Sequence, residues 1–111
     1  MATKLYLDDI RNLPDESYTL VRSYNEALTY IKENGIPAFI SFDHDLGVDE
    51  NEKLLPTGYD FAKYLVEMDM NNILSFPKDF SFYVHSANPV GKQNIESYLN
   101  GYLKFKNEKR V

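Results

Sequence analysis

Cysteine is absent from this chain of 111 residues, and its absence removes three kinds of chemistry. Disulfides, thiol nucleophiles and thiolate metal sites are all excluded. No apolar run approaches the ~20 residues that a membrane helix needs, and no signal-peptide core follows the first residues. We therefore expect a cytoplasmic protein without a membrane partner.

Positive charge is also scarce, since 12 Lys and Arg stand against 17 Asp and Glu, for a net charge of −5. A protein that grips an extended nucleic-acid backbone usually carries the opposite sign. If this protein acts on RNA, we expect it to hold an end rather than a long duplex. The chain length fits a single domain over residues 1–111.

Short apolar runs alternate with helical spacings along the chain. The runs predict strands over residues 4–7, 18–21, 38–42 and 80–84. Helix-capping patterns begin at Ser23, Thr57 and Asn88. The alternation predicts a small α/β domain with a mainly parallel, four-stranded sheet and helices on both faces, a truncated flavodoxin-like, receiver-like fold.

The stretch between the first two strands, residues 8–17, is too short for the usual crossover helix. Either a compact loop replaces that helix, or the second strand is a poorly placed edge.

Polar side chains follow three of the predicted strands. The clusters are Asp8 and Asp9, then Asp43, His44 and Asp45, then His85, Ser86 and Asn88. In open α/β sheets, ligands bind outside the carboxyl ends of the strands. Both histidines of the chain fall in these clusters, which therefore predict one site at one edge of the sheet.

Each cluster also has a purely structural interpretation. Loop acids such as Asp43 often bond backbone amides in turns. His85 follows an apolar strand, so it could be a satisfied core histidine. Ser86 and Asn88 are typical of any helix start.

Four carboxylates at one edge would repel one another unless a positive charge neutralises them. A divalent cation with hard oxygen ligands, Mg²⁺ or Mn²⁺, is the usual solution. The expected ligands are Asp8, Asp9 and Asp43. Asp45 is a further ligand or an orienting group among the catalytic residues.

His44 and His85 suit general acid–base catalysis near neutral pH. Arg11 could pair with a phosphate oxygen, although a surface salt bridge explains it equally well.

Ser86, Asn88 and the amides that open the last helix would form an anion seat. Gly58, with Tyr59, stands at another helix start and could add to that seat.

Three familiar motifs can be compared with this pattern. A calcium loop does not fit, because Val48 stands where the sharp-turn glycine belongs. A haloacid-dehalogenase-type phosphatase shares the D-x-D of residues 43–45, but that motif normally follows the first strand. A two-component receiver matches in order, with an acidic pair, a middle Asp and a later hydroxyl at Ser86. The receiver's fifth strand and its lysine have no counterpart.

Four blocks of sequence carry a closer resemblance. They are residues 5–11 (LYLDDIR), 41–47 (SFDHDLG), 57–60 (TGYD) and 84–91 (VHSANPVG). Together they closely resemble the cyclic-phosphate-processing receiver-like family of bacteria and phages, over nearly the whole chain. The resemblance implies a receiver-derived fold whose phospho-acceptor apparatus has become an active site for cyclic phosphates, such as those at RNA ends.

The leading hypothesis is a phosphoesterase that opens or removes a cyclic or terminal phosphate on a small molecule or an RNA end. One alternative is a regulatory module that binds or accepts phosphate, with Asp43 as acceptor. Another is a plain interaction domain whose acids keep the surface soluble.

Overall fold

The computed structural model describes residues 4–109 as four strands and three helices. In chain order these are β1 Lys4–Leu7, β2 Tyr18–Val21, α1 Tyr24–Asn34, β3 Phe39–Phe42, α2 Gly58–Met70, β4 Ser81–Val84 and α3 Pro89–Lys109. None of the helices within these residues is long and apolar enough to cross a membrane. Every strand and helix predicted from the sequence is present.

The helix ends follow from local chemistry. The Ser23 hydroxyl accepts the Glu26 amide at the start of α1. Thr57 and Asp60 form the reciprocal capping box that opens α2. Gly35 ends α1 with φ of 80°, a left-handed conformation that glycine adopts at little cost.

The sheet is entirely parallel, in the order β2-β1-β3-β4. Leu7 lies opposite Phe42, and Phe42 lies opposite Val84, so β1, β3 and β4 end in one row. The expected adjacency of these three strand ends is confirmed. The polar residues that follow them therefore meet at one edge.

All three helices lie on one face of the sheet, since α1 contacts α2 and α2 contacts α3. The apolar core joins alternate strand residues to the inner helix surfaces: Leu5, Leu7, Val21, Ile40, Phe42 and Val84 with Ala27, Ile31, Phe61, Leu65, Ile95 and Leu99. The sequence analysis expected helices on both faces. The structure corrects this point, because the connection between β1 and β2 contains no helix.

Residues 8–17 are the compact loop of the first alternative, and β2 is a parallel edge strand in full register with β1. In the strand order, the connection from β1 to β2 runs in one direction across the sheet, and the connections from β2 to β3 and from β3 to β4 run in the opposite direction. Right-handed crossovers therefore place this loop on the face that the helices leave open. Arg22 Nη1 holds the loop by donating to the Arg11 carbonyl oxygen at 2.8 Å.

Candidate active site

A cleft of about 360 Å³ lies at the carboxyl edge of the sheet, and we call it the acidic cleft. Six of the ten residues predicted for the site line it: Asp8, Asp9, Arg11, Asp43, Asp45 and Ser86. Residues far apart in the sequence thus converge as the strand order requires. His44, His85, Asn88 and Gly58 do not line the cleft, although each contacts residues that do or their immediate neighbours.

Asp8 is buried beneath the cleft, with 1% of its surface exposed. Its Oδ1 accepts the amides of Ile10 and Arg11 at 2.9 and 2.8 Å, and its Oδ2 lies 2.9 Å from His85 Nε2. Burial alone would raise the pKa of Asp8, but these bonds outweigh it and lower the pKa. Asp8 is therefore a fixed carboxylate at neutral pH.

Asp43 has the opposite electrostatic balance. Burial raises its pKa, and the nearby carboxylates of Asp8 and Asp9 raise it further, against the effect of the His44 amide. That amide donates to Asp43 Oδ1 at 2.8 Å. The acidic cleft thus holds negative charges that repel one another, and a cation would relieve the repulsion.

A divalent cation fits this donor set. Ligand atoms of Asp8, Asp43 and His85 all lie within 4.8 Å of one another. Both nitrogens of His85 already face other groups, whereas the carboxylate oxygens are the hard ligands that Mg²⁺ and Mn²⁺ prefer. Asp8 and Asp43 are therefore the residues best placed to hold such an ion, with Asp9 in the same cleft.

His85 lies across the open face of the sheet rather than in the cleft. Its ring stacks on Tyr6, with centroids 4.4 Å apart and planes 3° from parallel. Nδ1 lies 2.7 Å from Ser41 Oγ, and only 9% of the side chain is exposed. Burial lowers the pKa of His85 despite the opposing charge of Asp8, so the ring is neutral at pH 7.

His44 forms a separate dyad with Asp45. Its Nδ1 lies 2.9 Å from Asp45 Oδ1, and Asn88 Nδ2 donates to Asp45 Oδ2 at 3.2 Å. The bond from His44, reinforced by Asn88, lowers the pKa of Asp45. His44 thus has the support that orients an acid–base histidine, a carboxylate on one ring nitrogen.

The ring of His44 packs directly on the first turn of α3. A Cβ built on Gly91 would stand 2.3 Å from His44 Cγ, which no real side chain allows. Glycine at position 91 is therefore what lets the imidazole lie against the helix.

Substituting Gly91→Ala should destabilise the protein by about 1–3 kcal/mol, the usual cost of overpacking. The same change in a His44→Ala background should be neutral or stabilising, because the clash disappears and alanine is the better helix former. Chemical denaturation of the wild type, the two single variants and the double variant measures this reversal. Equal destabilisation in both backgrounds would show that position 91 does not act through His44.

Arg11 supplies positive charge at the cleft. Its Nη1 donates to the His85 carbonyl oxygen at 2.7 Å, and its Nε lies 3.7 Å from Asp8 Oδ2. About half of the side chain is exposed, so part of the guanidinium is accessible to a ligand.

Ser86 and Asn88 build the start of α3. Ser86 Oγ accepts the Asn88 amide at 3.1 Å, and Asn88 Oδ1 accepts the Gly91 amide at 3.0 Å. The helix start predicted at Asn88 is confirmed, since α3 begins at Pro89, directly after it. The Asn88 and Gly91 amides, which belong to the predicted anion seat, therefore already donate to side chains of the protein.

Gly58 permits a close approach of α2 to the end of β3. Its amide donates to the His44 carbonyl oxygen at 2.8 Å, and a Cβ there would stand 1.8 Å from the Asp43 carbonyl oxygen. Tyr59, beside it, packs edge-on against Tyr98. The Gly58 contact positions the loop that carries Asp43 and His44, whereas the Tyr59 ring packs α2 against α3.

Three residues of this region were not singled out from the sequence: Tyr6, Ser41 and Gly91. Ser41 had a readable signal, because it is a hydroxyl in the otherwise apolar run of β3, and a buried hydroxyl needs a partner. Tyr6 and Gly91 gave none, since an aromatic in a strand and a glycine near a helix start are both common.

The parallel sheet, with acids following β1 and β3 and a hydroxyl after β4, defines a receiver-like α/β domain. The family model of the cyclic-phosphate processing receiver domain matches residues 3–101, so the chain belongs to that family. No curated protein and no solved structure gives a significant match.

Proposed function

We propose that this domain is a metal-assisted phosphoesterase that processes cyclic or terminal phosphates, on nucleotides or at RNA ends. The observation that carries the proposal is the convergence of Asp8, Asp9 and Asp43 with the guanidinium of Arg11 in one cleft. The family description supports a cyclic phosphate as substrate.

Asp8 and Asp43, with Asp9, would hold Mg²⁺ or Mn²⁺ in the acidic cleft. A bound ion supplies Lewis-acid polarisation of a phosphoryl oxygen and favours a nucleophilic water at neutral pH. Asp45 serves better as an orienting group than as a ligand, because it is not among the residues whose ligand atoms cluster within 4.8 Å of one another, and its oxygens face His44 and Asn88.

The remaining walls of the cleft suit an organic phosphate. Arg11 places a cation where a phosphate oxygen would otherwise meet only carboxylates. Ser86, which follows the end of β4, offers a hydroxyl to the same cleft. Ile10, 80% exposed, and Ala87 add apolar surface that can contact the sugar or base of a nucleotide.

Proton transfer is assigned to the histidines. His44, oriented by Asp45, is the proposed general acid–base group, since a carboxylate on Nδ1 leaves Nε2 to exchange a proton. His85 is the second candidate for proton transfer. Its contact with Asp8 also makes it a support for the proposed ion site.

Incubation with a nucleoside 2′,3′-cyclic phosphate tests the proposal. We expect release of a nucleoside monophosphate with Mn²⁺ or Mg²⁺ and none with a chelator, and the Asp43→Asn variant serves as the inactive control. Metal-independent turnover, or none under any condition, would contradict it. A stable phosphoryl group on Asp43 after treatment with a small phosphodonor, without turnover, would support the regulatory alternative instead.

A further inference from the structure

Ser41 is a buried hydroxyl at the centre of the sheet. Its residue surface is 3% exposed, and its Oγ lies 2.7 Å from His85 Nδ1. The other ring nitrogen, Nε2, lies 2.9 Å from Asp8 Oδ2. A continuous line of hydrogen bonds therefore runs from β3, through a residue that follows β4, to the carboxylate that follows β1.

We propose that Ser41 is a positioning residue that fixes the Asp8 carboxylate through His85. The inference rests on the proposed function in one respect, because Asp8 is taken there as a ligand of the divalent cation. It assigns a role in that site to a residue outside the acidic cleft.

The chemistry of the partners determines where the proton lies. An ionised carboxylate only accepts hydrogen bonds, so Nε2 of His85 must carry the proton that points to Asp8. Nδ1 of the neutral ring is then an acceptor, and the Ser41 hydroxyl can donate to it. Asp8 thus sets the ring tautomer, and Ser41 reinforces it by giving the buried Nδ1 a donor and holding the ring in place, while the Ile10 and Arg11 amides hold Oδ1.

The place of Ser41 in the sheet matters as well as its hydroxyl. β3 lies between β1 and β4, and Ser41 pairs in register with both Tyr6 and Tyr83. The imidazole of His85 reaches over β3 to stack on Tyr6. A small side chain at position 41 leaves the space for this crossing, and Tyr6 supports the ring from below.

Ser41 is not a nucleophile, although Asp8, His85 and Ser41 connect in the manner of a serine-protease triad. Its hydroxyl is buried on the open face of the sheet and does not line the acidic cleft. A substrate in the cleft therefore meets Asp8 and not Ser41.

Two variants of Ser41 test the proposal, with Mn²⁺ alone as the probe. Ser41→Ala removes the hydroxyl, and Ser41→Thr keeps it. Calorimetry gives the dissociation constant for Mn²⁺, and ¹⁵N NMR of the metal-free protein reports the tautomer of His85. We expect Ser41→Ala to weaken Mn²⁺ binding by about tenfold, the lower end of the loss that removing an outer-shell partner causes, because Ser41 acts on Asp8 through His85. It should also lower the population of the Nε2–H tautomer, because the buried Nδ1 loses its donor, while Ser41→Thr retains both.

The outcomes separate this inference from the proposed function. Unchanged Mn²⁺ affinity in Ser41→Ala, or a wild-type ring protonated on Nδ1, would overturn the positioning role. Wild-type protein that shows the Nε2–H tautomer but binds no Mn²⁺ would overturn the metal-assisted function, while the spectra of the variants would still decide whether Ser41 orders His85. Denaturation curves confirm that each variant is folded, and if Ser41→Thr does not fold, Ser41→Cys supplies a small donor in its place.

Discussion

Replacing His44 with glutamine should lower turnover by about 10²–10⁴-fold while leaving the protein folded. General acid–base assistance is typically worth this factor, and glutamine cannot exchange a proton near neutral pH. Glutamine can still offer an amide to Asp45, so the loop keeps its polar contact. Steady-state rates on a cyclic nucleotide, with an unfolding curve from the same preparation, measure both quantities.

His85→Gln should behave differently, because the ring bridges Ser41 and Asp8 and stacks on Tyr6. Breaking buried hydrogen bonds of this kind costs about 1–3 kcal/mol, so we expect a loss of stability together with the loss of rate. If the specific activity of His85→Gln per folded molecule equals that of the wild type, the residue is structural only. Normal turnover by a folded double histidine variant would remove acid–base catalysis from the mechanism.

The sequence predicts the fold well because its local signals agree with one another. Capping at Ser23 and Thr57, the apolar strands and the stop at Gly35 all appear where the pattern places them. The placement of the β1–β2 connection could not be predicted in the same way. The lack of a helical pattern in residues 8–17 predicts only that no helix forms there. The face of the sheet that this loop crosses depends on the strand order, which the sequence does not reveal.

The sequence correctly predicted that the strand ends meet at one edge, but it did not predict which way each side chain there points. Asp8, Asp43 and His85 each follow a strand by one residue, so they share the open face, whereas His44 comes one residue later and turns towards α3. Sequence spacing could have shown this alternation. It could not show that Ser41 leaves room for His85 to reach Asp8, because that depends on which strands are neighbours.

Asp43→Asn should stabilise the metal-free protein and abolish its response to divalent cations. The side chain is isosteric and keeps an oxygen for the His44 amide. It removes a carboxylate whose pKa is raised by burial and by Asp8 and Asp9. A pKa raised in the folded state means that ionised Asp43 opposes folding, so the gain from Asn is complete above the folded pKa and disappears as the pH falls below the ordinary value of 3.8.

Metal reverses the order of the two proteins. At 100 times its dissociation constant, Mn²⁺ should stabilise the wild type by about 2.7 kcal/mol through mass action and leave Asp43→Asn unchanged. Asp79→Asn is the matched control, because it removes the same charge from an exposed residue just before β4, at the opposite end of that strand from the cleft. Its metal response should equal that of the wild type. If Mn²⁺ still stabilises a folded Asp8→Asn, Asp43→Asn double variant, the ion binds elsewhere and the acidic cleft is not a metal site. If the stabilisation is lost only when Asp8 or Asp43 is replaced, the binding energy comes from the carboxylates that β1 and β3 bring together.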